Sequence, residues 1–193
     1  MGRPIVILSG LLSLLNAGCL SGENFPPPDS WPKPVIAASV PQFEGVFLNH
    51  SLDSETGKAA ENGNELFVFL LGPTHASADA GGRVEIRASD GGQELQLRLL
   101  DEQGHQIDSA TLRRGIDFSF ADGRLAVCGP SSGWRSLNSN FGPGLTVQRD
   151  ELYLTARGDL LAATSEKSVA LAMMFVPSAS TTKYWMLWPK LPH

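Results

Sequence analysis

The chain has 193 residues, with 20 acidic against 15 basic side chains and a formal net charge of −5. Nucleic-acid binding needs clustered Lys and Arg that displace counterions from phosphates, so this balance argues against a nucleic-acid partner. A chain of this length is expected to form one domain with short appendages. Its 20 glycines and 13 prolines separate short aliphatic runs, a pattern that favours strands over long helices.

Residues 1–18 have the three parts of a secretory signal peptide. Arg3 supplies a positive charge, residues 4–15 are mostly apolar, and the small residues Ala17 and Gly18 precede Cys19. A helix that spans a bilayer needs about 20 apolar residues, and this run is shorter. We therefore expect the segment to be cleaved.

The small-small-Cys ending resembles the lipobox of bacterial lipoproteins. The resemblance implies that Cys19 receives diacylglycerol on its sulfur and, after cleavage, a further acyl chain on its amine. Each buried methylene contributes about 0.8 kcal/mol, so two or three chains anchor a protein stably. The sequence departs from the family pattern at Asn16, because Leu usually stands three residues before the cysteine. The alternative is an ordinary secretory signal with an incidental Cys19.

The resemblance also implies a place for the protein. Leu20, rather than Asp, follows the cysteine. In a Gram-negative cell we therefore expect release to the outer membrane, with the domain facing the periplasm. The chain has two cysteines, so acylation of Cys19 would leave Cys128 alone. No disulfide is then expected, and Cys128 is predicted to be a buried, inert thiol.

Residues 19–42 are interpreted as the acylated cysteine and a proline-rich tether, followed by a single domain over 43–193. Six prolines lie in 20–42 with few aliphatic residues. Such segments favour an extended polyproline conformation and serve as semi-rigid spacers.

From Phe43 onward, apolar and polar residues alternate with a period of two, as in strands with one buried face. Asp122-Gly123 predicts a hairpin, because Asp and Gly accept the positive φ angles of a type I′ turn. Further turns are predicted at 90–92, 103–104 and 158–159. The predicted fold class is mainly β: an antiparallel meander, small barrel or sandwich with little helix apart from the signal peptide. The clearest alternating segments are 84–88, 95–99 and 152–156.

Three segments are harder to interpret. The continuously apolar run 66–71 fits either a strand or a short buried helix, while the run 169–176 is predicted to be a strand. The stretch 129–144 is rich in Gly, Ser, Asn and Pro and is predicted to be a surface loop. Long loops are often functional.

No catalytic constellation, metal site or cofactor is predicted. Within the loop, 129–133 matches the G-x-S-x-G pattern with Ser131 in the nucleophile position, but the motif requires a following helix. The four histidines lack metal-ligand spacing. The acidic pairs Asp101-Glu102 and Asp150-Glu151 are predicted to be solvated. An envelope serine hydrolase using 129–133 is the alternative function.

The densest aromatic cluster lies near the C-terminus. In a strand, Tyr184 and Trp188 would share one face with Met186, and Trp185 would lie on the other with Leu187. These aromatics, together with Trp134, form the predicted binding surface for an envelope protein or a small hydrophobic ligand. The sequence thus predicts a membrane-anchored lipoprotein of the cell envelope, with a non-enzymatic binding, assembly or structural role. The aromatic residues concerned are Tyr184, Trp185, Trp188 and Trp134.

Overall fold

The computed structural model describes residues 26–52, 65–72, 82–128, 133–139, 142–172 and 176–192, with backbone alone for 133–139, 142–147, 167–172 and 176–181. Short strands joined by tight turns make up most of these ranges. The strands are β1 (Pro34–Val35), β2 (Gly45–Leu48), β3 (Arg83–Ser89), β4 (Glu94–Leu100), β5 (Gln106–Arg113), β6 (Phe118–Ala121), β7 (Arg124–Val127), β8 (Gly133–Ser139), β9 (Gly142–Thr155), β10 (Leu160–Ala172) and β11 (Val176–Trp188), and the helix α1 is Leu66–Leu71.

The strands form two antiparallel sheets. The larger has seven strands in the order β11-β10-β9-β7-β6, with β1 and β8 also paired to β9, and the smaller has the order β2-β3-β4-β5. Apolar side chains from both sheets belong to one buried cluster, so the sheets stack face to face. Over the described residues neither sheet closes into a barrel. The mainly β prediction is confirmed, and stacked sheets rather than a barrel describe the architecture.

The larger sheet is organised around β9. Its 14 residues extend over about 46 Å at the usual rise per residue. One edge pairs with β10. The other edge pairs in succession with β8 at 142–148, β7 at 150–152 and β1 at 154–155. One long strand thereby pairs with three shorter ones along a single edge.

The alternation in the sequence places one side of each sheet in the core. In β4, Leu95, Leu97 and Leu99 are buried between the sheets. Fully burying a large apolar side chain contributes about 1.5–3 kcal/mol, and aromatic side chains bury the most area per residue. The largest of the fully buried side chains are Trp188, Phe43, Phe47, Phe67 and Phe118.

The hairpin predicted at Asp122-Gly123 is confirmed. β6 and β7 pair with Ala121 opposite Arg124. Asp122 and Gly123 have φ angles of 52° and 75°, as a type I′ turn requires. The turns predicted at 90–92, 103–104 and 158–159 also join successive strands.

The segment left open at 66–71 is the helix α1. The backbone carbonyl of Asn49 accepts a hydrogen bond from the Leu66 N–H at 2.7 Å. The side-chain Oδ1 of Asn49 accepts another from the Phe67 N–H at 3.1 Å. These contacts satisfy two of the N–H groups that every helix start leaves unpaired. Gly72, with φ of 86°, ends the helix.

Two predictions about irregular segments were wrong. The run 169–176 is not one strand, since β10 ends at Ala172 and β11 begins at Val176, with these two residues paired. The stretch 129–144 is not a loop throughout, because β8 and the start of β9 form an antiparallel pair there. Backbone pairing with β9 outweighs the weak intrinsic strand preference of Ser, Asn and Gly. Residues 129–132 lie outside the described part of the chain.

The proline-rich segment packs on the domain from its first described residues. Pro34 and Val35 pair with Thr155 and Leu154 of β9. Trp31, Ala37 and Val40 are buried. Packed structure thus begins before residue 43, within the predicted tether 19–42, whose residues 19–25 lie outside the described part of the chain.

Replacing Gly123 by Val should destabilise the domain by more than the cost of a positive φ angle. That cost is about 1–3 kcal/mol. At Gly123 an added Cβ would also lie 2.5 Å from Ile36 Cγ2 and 2.8 Å from the Ala37 nitrogen. Urea unfolding should therefore show a larger loss of stability for G123V than for G104V.

Gly104 is the matched control, because it has φ of +88° and an added Cβ would meet no atom within 4 Å. Equal losses of stability in the two variants would contradict the packing of the Ile36-Ala37 backbone on this turn.

Candidate functional site

The aromatic cluster of β11 divides between the two faces of the sheet, as its pleat predicts. Trp188 is fully buried in the main core, with its ring centroid 5.1 Å from that of Phe69. Tyr184 lies on the same face but is 37% exposed. Trp185 lies on the opposite, outer face. The predicted residues therefore do not form one binding surface, and for Trp134 the structure gives only a backbone position in β8, opposite Val147.

A second apolar cluster covers the outer face of the seven-stranded sheet. Trp31, Leu161 and Leu187 are buried there, with Tyr153 and Trp185 packed against them. The rings of Tyr153 and Trp185 are 5.8 Å apart. We call this group, with Leu52 at its margin, the outer cluster.

The N-terminal segment supplies the cover of the outer cluster. Trp31 comes from this segment, and the indole N–H of Trp185 donates a hydrogen bond to the Pro26 carbonyl at 3.0 Å. Sequence reasoning did not assign Trp31. The sequence did contain a signal for this contact, a large aromatic residue within a proline-rich stretch. A solvated spacer would leave that apolar surface exposed to water.

Polar side chains beside the outer cluster link β7 to β9. The Tyr153 hydroxyl donates to Glu151 Oε2 at 2.8 Å, and Arg124 lies 3.6 Å from the same carboxylate oxygen and 3.6 Å from Asp122. A hydrogen bond to the Tyr153 hydroxyl raises the pKa of Arg124, and burial raises the pKa of Tyr153. Glu151 is 6% exposed, so its carboxylate is enclosed by these partners.

The neighbouring Asp150 points to the opposite face and is 1% exposed. Its Oδ1 accepts a hydrogen bond from Thr164 at 2.8 Å, and Gln148 donates to both carboxylate oxygens at 3.1–3.2 Å. Burial, followed by the charge of Asp150, raises the pKa of Tyr184. The prediction that Asp150 and Glu151 are solvated was wrong, because both lie within a central strand rather than at its end.

The prediction of a free thiol at Cys128 is also contradicted. Cys128 is half-buried at the end of β7 and is disulfide-bonded. The chain has two cysteines, and Cys19 lies outside the described residues. The prediction of a free thiol assumed that lipid occupies the sulfur of Cys19. Labelling with palmitate tests that assumption.

The serine motif has a different context from that of a hydrolase. Ser131 lies outside the described residues, but the motif's last glycine, Gly133, begins the strand β8. A nucleophile elbow places a helix at that point, with its N-terminus toward the oxyanion. Among the histidines, His105 is exposed and lies 3.1 Å from Asp101 in a turn.

The described part of the main core contains a small void. A void of about 10 Å³ lies between the sheets, lined by apolar side chains such as Phe43, Leu97 and Leu152. That is room for about one water molecule. Within the described ranges, the structure has no cluster of three or more metal-ligating side chains. The helices in those ranges also include none with the length and apolar character to cross a membrane.

Comparisons of this chain with protein-family models, with curated proteins and with solved structures found no match. The geometry and the sequence therefore supply the grounds for a functional proposal.

Ser131 should not react with a fluorophosphonate probe, because β8 rather than a helix follows the motif. The purified wild-type protein and S131A should show the same absence of labelling on a gel, beside a serine hydrolase as positive control. Labelling of the wild type that disappears in S131A would contradict this expectation and support the serine-hydrolase hypothesis.

Proposed function

We propose that this protein is exported to the bacterial cell envelope and is held on a membrane by lipid on Cys19. Its two-sheet domain then serves a non-enzymatic role, as a binding or structural factor for other envelope proteins. The anchor is supported by the signal-like residues 1–18 and the small residues before Cys19. The role of the domain is supported by the contacts of its buried polar groups.

The contacts of the two buried carboxylates are the main support for a non-enzymatic role. A general acid or base must come within hydrogen-bond reach of a substrate. Asp150 and Glu151 are enclosed on opposite faces of β9, where their oxygens bond to neighbouring side chains. Both carboxylates therefore hold strands together, a structural use that leaves them away from solvent.

The small void in the described part of the core favours a partner at the surface. Pockets that bury a small hydrophobic ligand usually enclose about 300–1,000 Å³, far more than the 10 Å³ between these sheets. A macromolecular partner needs only an outer surface. We therefore favour an envelope protein over a small hydrophobic ligand.

The disulfide of Cys128 favours a second form of the proposal. Exported compartments oxidise thiols, and the only other cysteine in the chain is Cys19. A sulfur in a thioether to lipid cannot also form a disulfide. In this second form the protein is secreted through an ordinary signal and has no lipid anchor.

Metabolic labelling with radioactive palmitate separates the two forms. We expect the wild-type chain to be labelled and to fractionate with membranes, and C19S to lose both the label and membrane association. C128S is the matched control and should keep the label, since it changes the chain's other cysteine. In a Gram-negative host, labelled protein should fractionate with the outer membrane, as Leu20 predicts.

An unlabelled wild-type protein that is soluble after export would contradict the anchor and support the secreted form. Labelled protein found solely in the inner membrane would contradict the sorting prediction and leave the anchor intact.

A further inference from the structure

The strand β2 lies at one edge of the four-stranded sheet. An edge strand directs alternate N–H and C=O groups away from its sheet, where another chain could pair with them. In β2 such groups belong to Val46 and Leu48. The Leu48 N–H donates to the Pro189 carbonyl at 3.0 Å, and the Leu191 N–H donates to the Val46 carbonyl at 2.8 Å. Residues that follow β11 therefore cover this edge.

The covering residues connect the two sheets. Trp188, the last residue of β11, pairs with Leu160 of β10. Just before it, the Leu187 carbonyl accepts a hydrogen bond from the Leu52 N–H at 2.8 Å. The chain thus passes from the edge of the seven-stranded sheet onto the edge of the four-stranded sheet. We call residues 189–192 the strap.

The side of the strap that points away from β2 is also blocked. Backbone groups alternate in direction along an antiparallel strand, so the backbone nitrogens of Lys190 and Pro192 lie on this side. The Lys190 N–H donates to Asp159 Oδ1 at 3.0 Å, and proline has no N–H. Within the described strap, neither outward position therefore offers a donor to a further strand.

The side chain of Lys190 holds the strap across β2. Its Nζ donates to the Glu44 carbonyl at 2.7 Å and lies 5.8 Å from the centre of the Phe47 ring, within the range of a cation–π contact. An added Cβ at Gly45 would collide with Lys190 Cε. Glycine at this position therefore leaves room for the lysine side chain.

Asp159 is fixed by the turn between β9 and β10. Its N–H donates to Thr155 Oγ1 at 3.1 Å, and the Thr155 hydroxyl donates to Asp159 Oδ2 at 3.3 Å. Arg157 Nε lies 3.7 Å from the same Oδ2. Hydrogen bonds that a carboxylate accepts are stronger than those between neutral groups. The bond from the Lys190 N–H is therefore a firm attachment of the strap.

The opposite edge of the same sheet is blocked in a related way. There the edge strand is β5. The Arg113 N–H donates to Asp117 Oδ2 at 2.8 Å, and the Ser109 N–H donates to Asp108 Oδ1 at 2.7 Å. Side-chain carboxylates thus occupy two backbone donors of this strand. Occupied donors at both edges fit a sheet that is protected against the addition of another strand.

We propose that the strap is an edge cap, which prevents β2 from pairing with β2 of a second copy of this chain, and that Asp159 keeps the cap closed. A second copy is the natural occupant, because two antiparallel β2 strands are self-complementary about a twofold axis. The inference goes beyond the proposed function and does not depend on a lipid anchor.

The test opens the strap in the purified protein and measures the molar mass by light scattering at increasing concentration. D159A/L191P removes the acceptor for the Lys190 N–H and the donor to the Val46 carbonyl. Its mass should rise with concentration toward twice that of the wild type. D159A/L191A is the matched control, because it keeps the N–H of residue 191, and its mass should stay that of the wild type.

Addition of V46K to D159A/L191P should restore the wild-type mass. Val46 lies on the side of β2 away from the core, and like charges that face each other across paired strands are destabilising. Hydrogen exchange at the Leu48 amide reports whether the strap is open, and thermal unfolding checks that each variant folds. L191P alone, which leaves the turn at Asp159 intact, is the milder variant and should dimerise more weakly.

A wild-type mass for D159A/L191P or L191P, with rapid exchange at the Leu48 amide, would overturn the edge cap. Continued protection of that amide in D159A/L191P would overturn the role of Asp159 in closing it. Equal association in D159A/L191A, or association that V46K leaves unchanged, would show that another surface is responsible and would also overturn the proposal.

Discussion

The docking of the N-terminal segment on the outer face of the larger sheet is the constraint on which the functional account depends. Trp31 closes over Leu161 and Leu187, and β1 pairs with the last residues of β9. The Ala37 N–H donates to the Gly123 carbonyl at 3.2 Å. Without this segment the sheet would expose a contiguous apolar patch, which soluble domains tend to avoid.

Because of this docking, the described residues 26–42 are not the semi-rigid spacer that their proline content predicted. Residues 20–25, between Cys19 and the first described residue, number six. The docked segment touches the turn at Gly123, the most clearly predicted turn of the fold. A change at this turn therefore acts on both the hairpin and the N-terminal cover.

β9 has a comparable role for the polar groups. Asp150 and Glu151 follow one another on this strand and are buried on opposite faces. Asp150 bonds to β10 through Thr164, and Glu151 is held by Tyr153 and by Arg124 of β7. Buried carboxylates without partners would cost several kcal/mol. These contacts give both a structural purpose, in line with a binding or structural domain.

Much of the fold could be predicted from local patterns, and the failures share one cause. The alternation in 95–99 and the Asp122-Gly123 turn are local signals, and both were confirmed. The strand β8 was missed because its Gly, Ser and Asn residues disfavour an isolated strand, whereas pairing with β9 supplies its stability. The run 66–71 was ambiguous because it is apolar on every side, and its helix depends on distant Asn49.

The candidate site was less predictable than the fold. The pleat of β11 showed that Tyr184 and Trp185 lie on opposite faces, but the cover over Trp185 comes from residues more than 150 positions earlier. Proline content in 20–42 predicted an extended conformation, which the structure shows at Pro34–Val35, whereas Val40–Phe43 form a 3-10 helix. It could not indicate that this extended chain is packed.

Residue-resolved hydrogen exchange of the mature protein tests the docked segment most directly. The amide of Trp31, which donates to the Pro28 carbonyl at 3.0 Å, and that of Ala37 should exchange much more slowly than in an unstructured peptide. Exchange at the unstructured rate for both amides would show that the segment is a free tether, and would contradict its docking on the outer face of the larger sheet.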